Sequence, residues 1–186
     1  MGDLAGGGPL VTECAELGIT EAAAKLVQAA RRSRVPVVHA VTEQRADGAG
    51  RVINTPFLAA RAKIPSTNVQ GTAGAELLPA LGPEPTDIMC PRIHGLNPFT
   101  STNLDQLLRN LGATTIVPVG VSLNVALLGL CSTAASLGYR IALPTDAVAG
   151  YPREFSQAVL EHAFRMLATL TTTDAVTAAW ASIGPD

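Results

Sequence analysis

The sequence predicts an α/β fold built on a parallel sheet, and three observations carry that prediction. Short apolar runs alternate with longer amphipathic stretches along most of the chain. The runs are rich in Val, Ile and Leu without polar alternation, as strands buried on both faces are. Between the first and last of these runs each amphipathic stretch joins two of them, the spacing of right-handed βαβ crossovers.

Residues 19–32 place Ala23, Leu26, Val27 and Ala30 at helical spacing, with Glu21, Lys25 and Gln28 between them, which predicts an amphipathic helix. Val35-Pro36-Val37-Val38-His39-Ala40 then reads as a short buried strand. Residues 41–86 are rich in Gly, Pro, Asn and charge, with helical character over 55–62, and read as a long loop over the sheet edge. A loop of that length inside a domain is commonly functional. A second strand is predicted over 87–91 and a helix over 101–111, with Leu104, Leu107 and Leu108 on one face. Residues 115–121 form the third strand and 124–137 the helix after it, closed by Gly138 at C′. A fourth strand (139–144), a helix (152–167) and a fifth strand (168–172) follow, and Thr173-Asp174 cap a last helix ending near Trp180. Residues 1–18 hold no strand-like run; Leu10-Val11-Thr12-Glu13-Cys14 comes nearest, but its flanks look helical.

A chain of 186 residues with net charge -2 is expected to be one domain, residues 1–186. With 47% hydrophobic but only 4% aromatic residues, its core is built from Ala, Val and Leu. The absence of a basic cluster argues against a nucleic-acid partner. No apolar run reaches membrane-spanning length and the first residues do not resemble a signal peptide, so no membrane partner is expected. Cys14, Cys90 and Cys131 lack metal-ligand spacing and fit reduced thiols in the cytoplasm. Gly6-Gly7-Gly8 has no strand before it, which excludes a dinucleotide fingerprint; no cofactor and no metal is expected.

The most informative stretch is Thr115-Ile116-Val117-Pro118-Val119-Gly120-Val121-Ser122-Leu123-Asn124. A strand passing straight into a helix puts this turn at the carboxyl edge of the sheet, where ligands bind. The N–H groups of the helix start suit an anion or a developing oxyanion. Ser122 reads as an N-cap or as a weak nucleophile needing a base.

This turn resembles the nucleophile turn of the isochorismatase-like cysteine hydrolases, roughly G-V-x-T-N-x-C, with Gly120, Val121 and Asn124 matching and Leu123 in the Thr slot. Further matches are Val35-Pro36-Val37-Val38-His39, His94-Gly95-Leu96-Asn97-Pro98-Phe99, Thr102, Leu104-Asp105, Leu108-Arg109-Asn110-Leu111-Gly112, Gly138-Tyr139 and Thr145-Asp146-Ala147. The resemblance implies a three-layer α/β/α sandwich with a parallel, Rossmann-like sheet of strand order 3-2-1-4-5-6. It also implies a non-proline cis bond in the 120–122 turn, and an Asp–Lys–Cys triad in which the thiol attacks an amide, imide or similar carbon. Isochorismatases share the fold and cleave a vinyl ether without that Cys.

Three departures matter. The nucleophile position holds Ala126, and a methyl group cannot attack a carbonyl. Cys131 is displaced from it by about 140° and about 7.5 Å along the helix, and reads as packing. For the family's Lys the candidates are Arg92, a permanent cation, and His94, which can move protons near neutral pH. The family's first strand, which carries the Asp, has no counterpart in residues 1–18, so the first central strand is expected to be missing and the domain N-terminally incomplete. Its slot, flanked by residues 35–40 and 115–121, is expected to be empty or filled by something other than residues 1–18 as a regular strand; an empty slot would leave a chain that is weakly stable or reliant on homo-oligomer contacts.

The functional expectation is therefore a hydrolase relative that acts on or binds a small carbonyl or carboxylate metabolite without Cys-based catalysis. Val121, Ser122, Asn124 and Phe99 would bind substrate, and Arg92 or His94 would stand in for the Lys. The alternative is an inactive pseudoenzyme serving as a metabolite-binding or oligomer-scaffold protein. A carboxylate within hydrogen-bond reach of Arg92 or His94 would separate the two. Asp146 and His39, at the same edge, read as bracing and packing groups rather than as site residues.

Overall fold

Pro9 takes the first position of a helix, where a missing N–H costs nothing, and the computed structural model, which describes residues 8–93 and 96–182, shows α1 over Pro9–Glu16. The nearest strand-like run at the start of the chain is thus helical. Gly18 adopts φ 63°, a left-handed conformation open to Gly at little cost, and the chain turns directly into α2 (Ile19–Arg32). The buried face of α2 (Ile19, Ala23, Leu26, Val27, Ala30) is the one the periodicity predicts.

The strands are β1 (Val38–His39), β2 (Ile88–Met89), β3 (Thr115–Ile116), β4 (Gly120–Val121), β5 (Arg140–Pro144), β6 (Val148–Ala149) and β7 (Thr169–Thr171). The remaining helices are α3 (Pro56–Ala62), α4 (Leu104–Asn110), α5 (Leu128–Ser136), α6 (Arg153–Val159), α7 (Arg165–Leu167) and α8 (Thr173–Ala181). Every strand pairing is parallel: β1 with β2, β3 with β5, β5 with β7, and β4 with β6. The expected strand at 115–121 is therefore one extended run that pairs in two pieces. Pro118 lies between them, and Thr114 accepts the Arg140 N–H on the β5 side. Alternation puts Pro118 on that same side, where it has no N–H to give.

Helices cover both faces. On one, Leu26 of α2 and Val176 and Trp180 of α8 pack with Val117, Val119 and Ala147. On the other, Leu127, Leu130, Cys131, Ala134 and Phe164 pack with Ile141 and Leu143. This is the three-layer α/β/α sandwich expected. Between β1 and β3, however, no hydrogen bond forms, and the described residues supply no strand there. The hydrogen-bonded groups are β1-β2, β3-β5-β7 and β4-β6.

Two local expectations are corrected. The cap of α8 is Thr172, whose hydroxyl accepts the Ala175 N–H, while the Thr173 N–H is held by the Asp146 carboxylate at 2.8 and 3.1 Å. The helix expected over 124–137 starts as a π-helical turn, Leu123–Leu127, before α5 takes over. Among the described residues no helix is long and apolar enough to cross a membrane.

Candidate functional site

At the carboxyl end of β4 the chain turns into a helix through a cis peptide bond between Val121 and Ser122, the position the resemblance predicts. Ser122 stands at the N-cap: its carbonyl accepts the Leu127 N–H at 3.0 Å, while its hydroxyl makes no capping bond. The first N–H groups of such a helix have no intrahelical acceptor. Asn124 is fixed from its side chain, Nδ2 donating to the Tyr151 carbonyl at 3.0 Å. That contact needs Gly150, since a Cβ there would sit 2.6 Å from Ser156 Oγ and 2.9 Å from Asn124 Oδ1. Val121 packs against Cys14 and Ile19, next to Ala149 and Leu10, so α1 lies against this turn. Glu13 on α1 does not serve the turn but holds Arg153 at 2.5 Å, with Glu16 on the same guanidinium at 2.6 Å.

Ala126 is buried one turn into the helix, 7% exposed, and offers only a methyl group. Cys131 is fully buried in the helix layer, where burial pushes its thiol up to about 12. Cys14 is also raised, first by burial and then by the Glu13 charge. Neither thiol has thiolate character near neutral pH.

Arg92 lies at the carboxyl end of β2, buried, 8% exposed. Its Nη1 donates to the Ala40 carbonyl at 2.8 Å and the Val41 carbonyl at 3.4 Å, and Nη2 reaches the Leu96 carbonyl at 3.5 Å. No carboxylate meets it and its Nε has no partner among the described residues. Burial lowers its pKa, yet an arginine remains a cation. His94 lies outside the described residues. Phe99 is not brought to the turn: its ring stacks on Tyr139 at 6.2 Å, at the amino end of β5, where Tyr139 donates to Asp105 and Arg109 covers its face at 5.5 Å. Asp146 braces α8, as described, rather than facing the turn.

A cluster that sequence reasoning missed lies at the other end of the β1–β2 pair. Asp87 accepts from Arg31 Nε at 3.1 Å, Arg31 Nη2 at 2.5 Å and His39 Nε2 at 2.9 Å, and from the Glu84 N–H at 3.1 Å. Burial alone would raise this carboxyl, but the hydrogen bonds from Arg31, His39 and Glu84 together hold it down at about 2. The one signal for it was an Asp directly before an apolar run. Among the described residues, no three His, Cys, Asp or Glu side chains converge as a metal site would require.

The sequence profile of the Isochorismatase domain matches residues 12–175. No curated protein matches the sequence. Among solved structures, an isochorismatase family protein from Burkholderia thailandensis is 27% identical with TM-score 0.76, over 88% of this chain and 83% of that one. The pyrazinamidase/nicotinamidase from Streptococcus mutans UA159 is 27% identical with TM-score 0.67, over 82% and 84%. A cysteine hydrolase from Pseudomonas syringae pv. phaseolicola 1448A, at 22% identity and TM-score 0.77 over 89% and 81%, shares the fold.

Proposed function

We propose that this chain, which belongs to the isochorismatase family of hydrolase fold, binds a small carbonyl or carboxylate compound at the 120–124 turn without turning it over by thiol chemistry. One observation carries this reading: where the family pattern has its nucleophilic thiol, the buried side chain is the methyl of Ala126. The binding half of the site has support of its own. The turn is held by Asn124 and Gly150, and the first N–H groups of a helix have no intrahelical acceptor, which suits them to an acceptor oxygen.

The chemical half lacks support. Arg92 is the described candidate for the cationic partner, and it is clamped by carbonyls with no carboxylate in reach among the described residues. It contributes charge but no proton. A water-mediated hydrolysis would have to draw its proton transfers from His94. That no carboxylate among the described residues meets Arg92 supports the pseudoenzyme reading over the hydrolytic one. Three unpaired, buried cysteines suit the cytoplasm as the place where the protein works.

The test is an NMR titration of ¹⁵N-labelled protein with nicotinate, nicotinamide and pyrazinamide, small compounds of the class named for the Streptococcus mutans neighbour. Saturable shifts at the Leu123 and Asn124 amides are expected. Shifts confined to other parts of the fold, or none, would refute a ligand at this turn.

A further inference from the structure

Between Asp47 and Glu76 the chain carries three cations, Arg51, Arg61 and Lys63, and no carboxylate, although the whole chain has net charge -2. The middle of this stretch is α3, opened by Pro56 and by the Thr55 hydroxyl, which accepts the Leu58 N–H at 3.1 Å. Helical spacing sorts its side chains into two rows. Leu58, Ala59 and Ala62 form the inner row and are half-buried, and no residue of this helix is fully buried. Phe57 and Arg61 belong to the outer row. Ile64 continues it in the closing turn, where its N–H donates to the Arg61 carbonyl. The outward row of a surface helix is normally polar. Here Phe57 is 50% and Ile64 52% exposed.

The residues before the helix add to that face. Arg51 Nη2 donates to the Arg61 carbonyl at 3.0 Å, which ties residues 51–53 to the end of α3, and Val52 and Ile53 are exposed as well. Among the described residues none of the three cations meets a carboxylate. A single exposed apolar side chain needs no explanation, but four of them within residues 51–64, set among unanswered cations, mark a contact surface.

We infer that the outer face of residues 51–64 docks an acidic amphipathic helix of a partner protein. The apolar row of that helix covers Phe57 and Ile64, and its carboxylates answer Arg61 and Lys63. Charge complementarity sets the partner's sign, and an apolar row left open on α3 is the surface that a second helix buries. The three cations fall short of the cluster of about four to eight that draws a segment to an anionic lipid surface. This goes beyond the ligand site at the 120–124 turn and does not rest on it, since no residue of that turn takes part.

The probe is a fluorescein-labelled peptide of about fifteen residues, with leucines at helical spacing and glutamates between them. Its fluorescence anisotropy should rise saturably on titration with the wild-type chain, and binding should weaken as salt rises. Phe57→Ser combined with Ile64→Ser removes the apolar row and should weaken binding at least about tenfold. Arg61→Glu combined with Lys63→Glu should weaken it as much, and should gain binding to a peptide with lysines in place of the glutamates. All four side chains are exposed, so both variants should melt with the wild-type chain. Should either fail to fold, the glutamate and lysine peptides against the wild-type chain still decide the matter. Absence of saturable binding by the glutamate peptide, or equal binding of the lysine peptide, would overturn the inference. So would co-sedimentation of the wild-type chain with phosphatidylserine vesicles that displaces the peptide, which would assign the face to a membrane. Self-association lost on Phe57→Ser would overturn it too, by assigning the face to a second copy.

Discussion

Two arginines mark the two ends of the β1–β2 pair, and they are held in opposite ways. Arg31 grips Asp87 through two nitrogens, and the same carboxylate takes His39, so the charges in that cluster are answered within the chain. Arg92, the more buried of the two, rests on backbone carbonyls and meets no carboxylate among the described residues. The difference separates a cation paired with a carboxylate from one held by backbone carbonyls.

The sharpest way to break this contrast is to remove the shared carboxylate. Asp87→Ala would strand Arg31 and His39 in a buried site, and unfolding in urea should show a loss of about 3–5 kcal/mol. A loss below about 1 kcal/mol, the scale of an exposed pair, would mean that the cluster is solvated and the contrast empty.

Acid offers a second, smaller handle on the same group. The Asp87 carboxyl is depressed in the folded chain to about 2, against an ordinary 3.8. A depressed carboxylate stabilises the fold above its unfolded pKa, and that contribution is lost as pH falls from about 4 through about 2. The lost stability should amount to about 2 kcal/mol, an order-of-magnitude figure. Asp87→Asn should flatten this part of the stability curve.

Arg92 should give the smallest effect. Arg92→Met removes a buried cation with no ion partner among the described residues and substitutes an apolar chain of similar length, so stability should change by less than about 1 kcal/mol or rise slightly. Arg31→Met, which abandons Asp87, should cost several-fold more. Equal costs in thermal unfolding would show that Arg92 is as structural as Arg31.

How much of this was legible in the sequence depends on the range of the interaction involved. The helix at 19–32 was visible residue for residue, because its apolar spacing is a local property. The turn after residue 120 was visible through its motif, and the helical character of residues 10–14 through their flanks. Pro118 was in plain view, but whether it breaks the ladder depends on which side its nitrogen faces, a matter of register. The Arg31–Asp87 pair was invisible, since its partners are 56 residues apart and neither belongs to a periodic pattern. Phe99 was misplaced for a similar reason: a motif gave its neighbours in sequence, while its packing on Tyr139 sets its position in space. Its assignment to substrate binding has no geometric support.

The central claim is that the turn keeps its shape and has lost its chemistry. The most direct measurement is ammonia release from nicotinamide and pyrazinamide, followed with the wild-type chain and with Ala126→Cys side by side. The account predicts none above buffer from the wild-type chain, and at most a trace from Ala126→Cys, since a thiol installed there finds no described carboxylate to activate it. Multiple turnovers by the wild-type chain, unaffected by iodoacetamide, would contradict it.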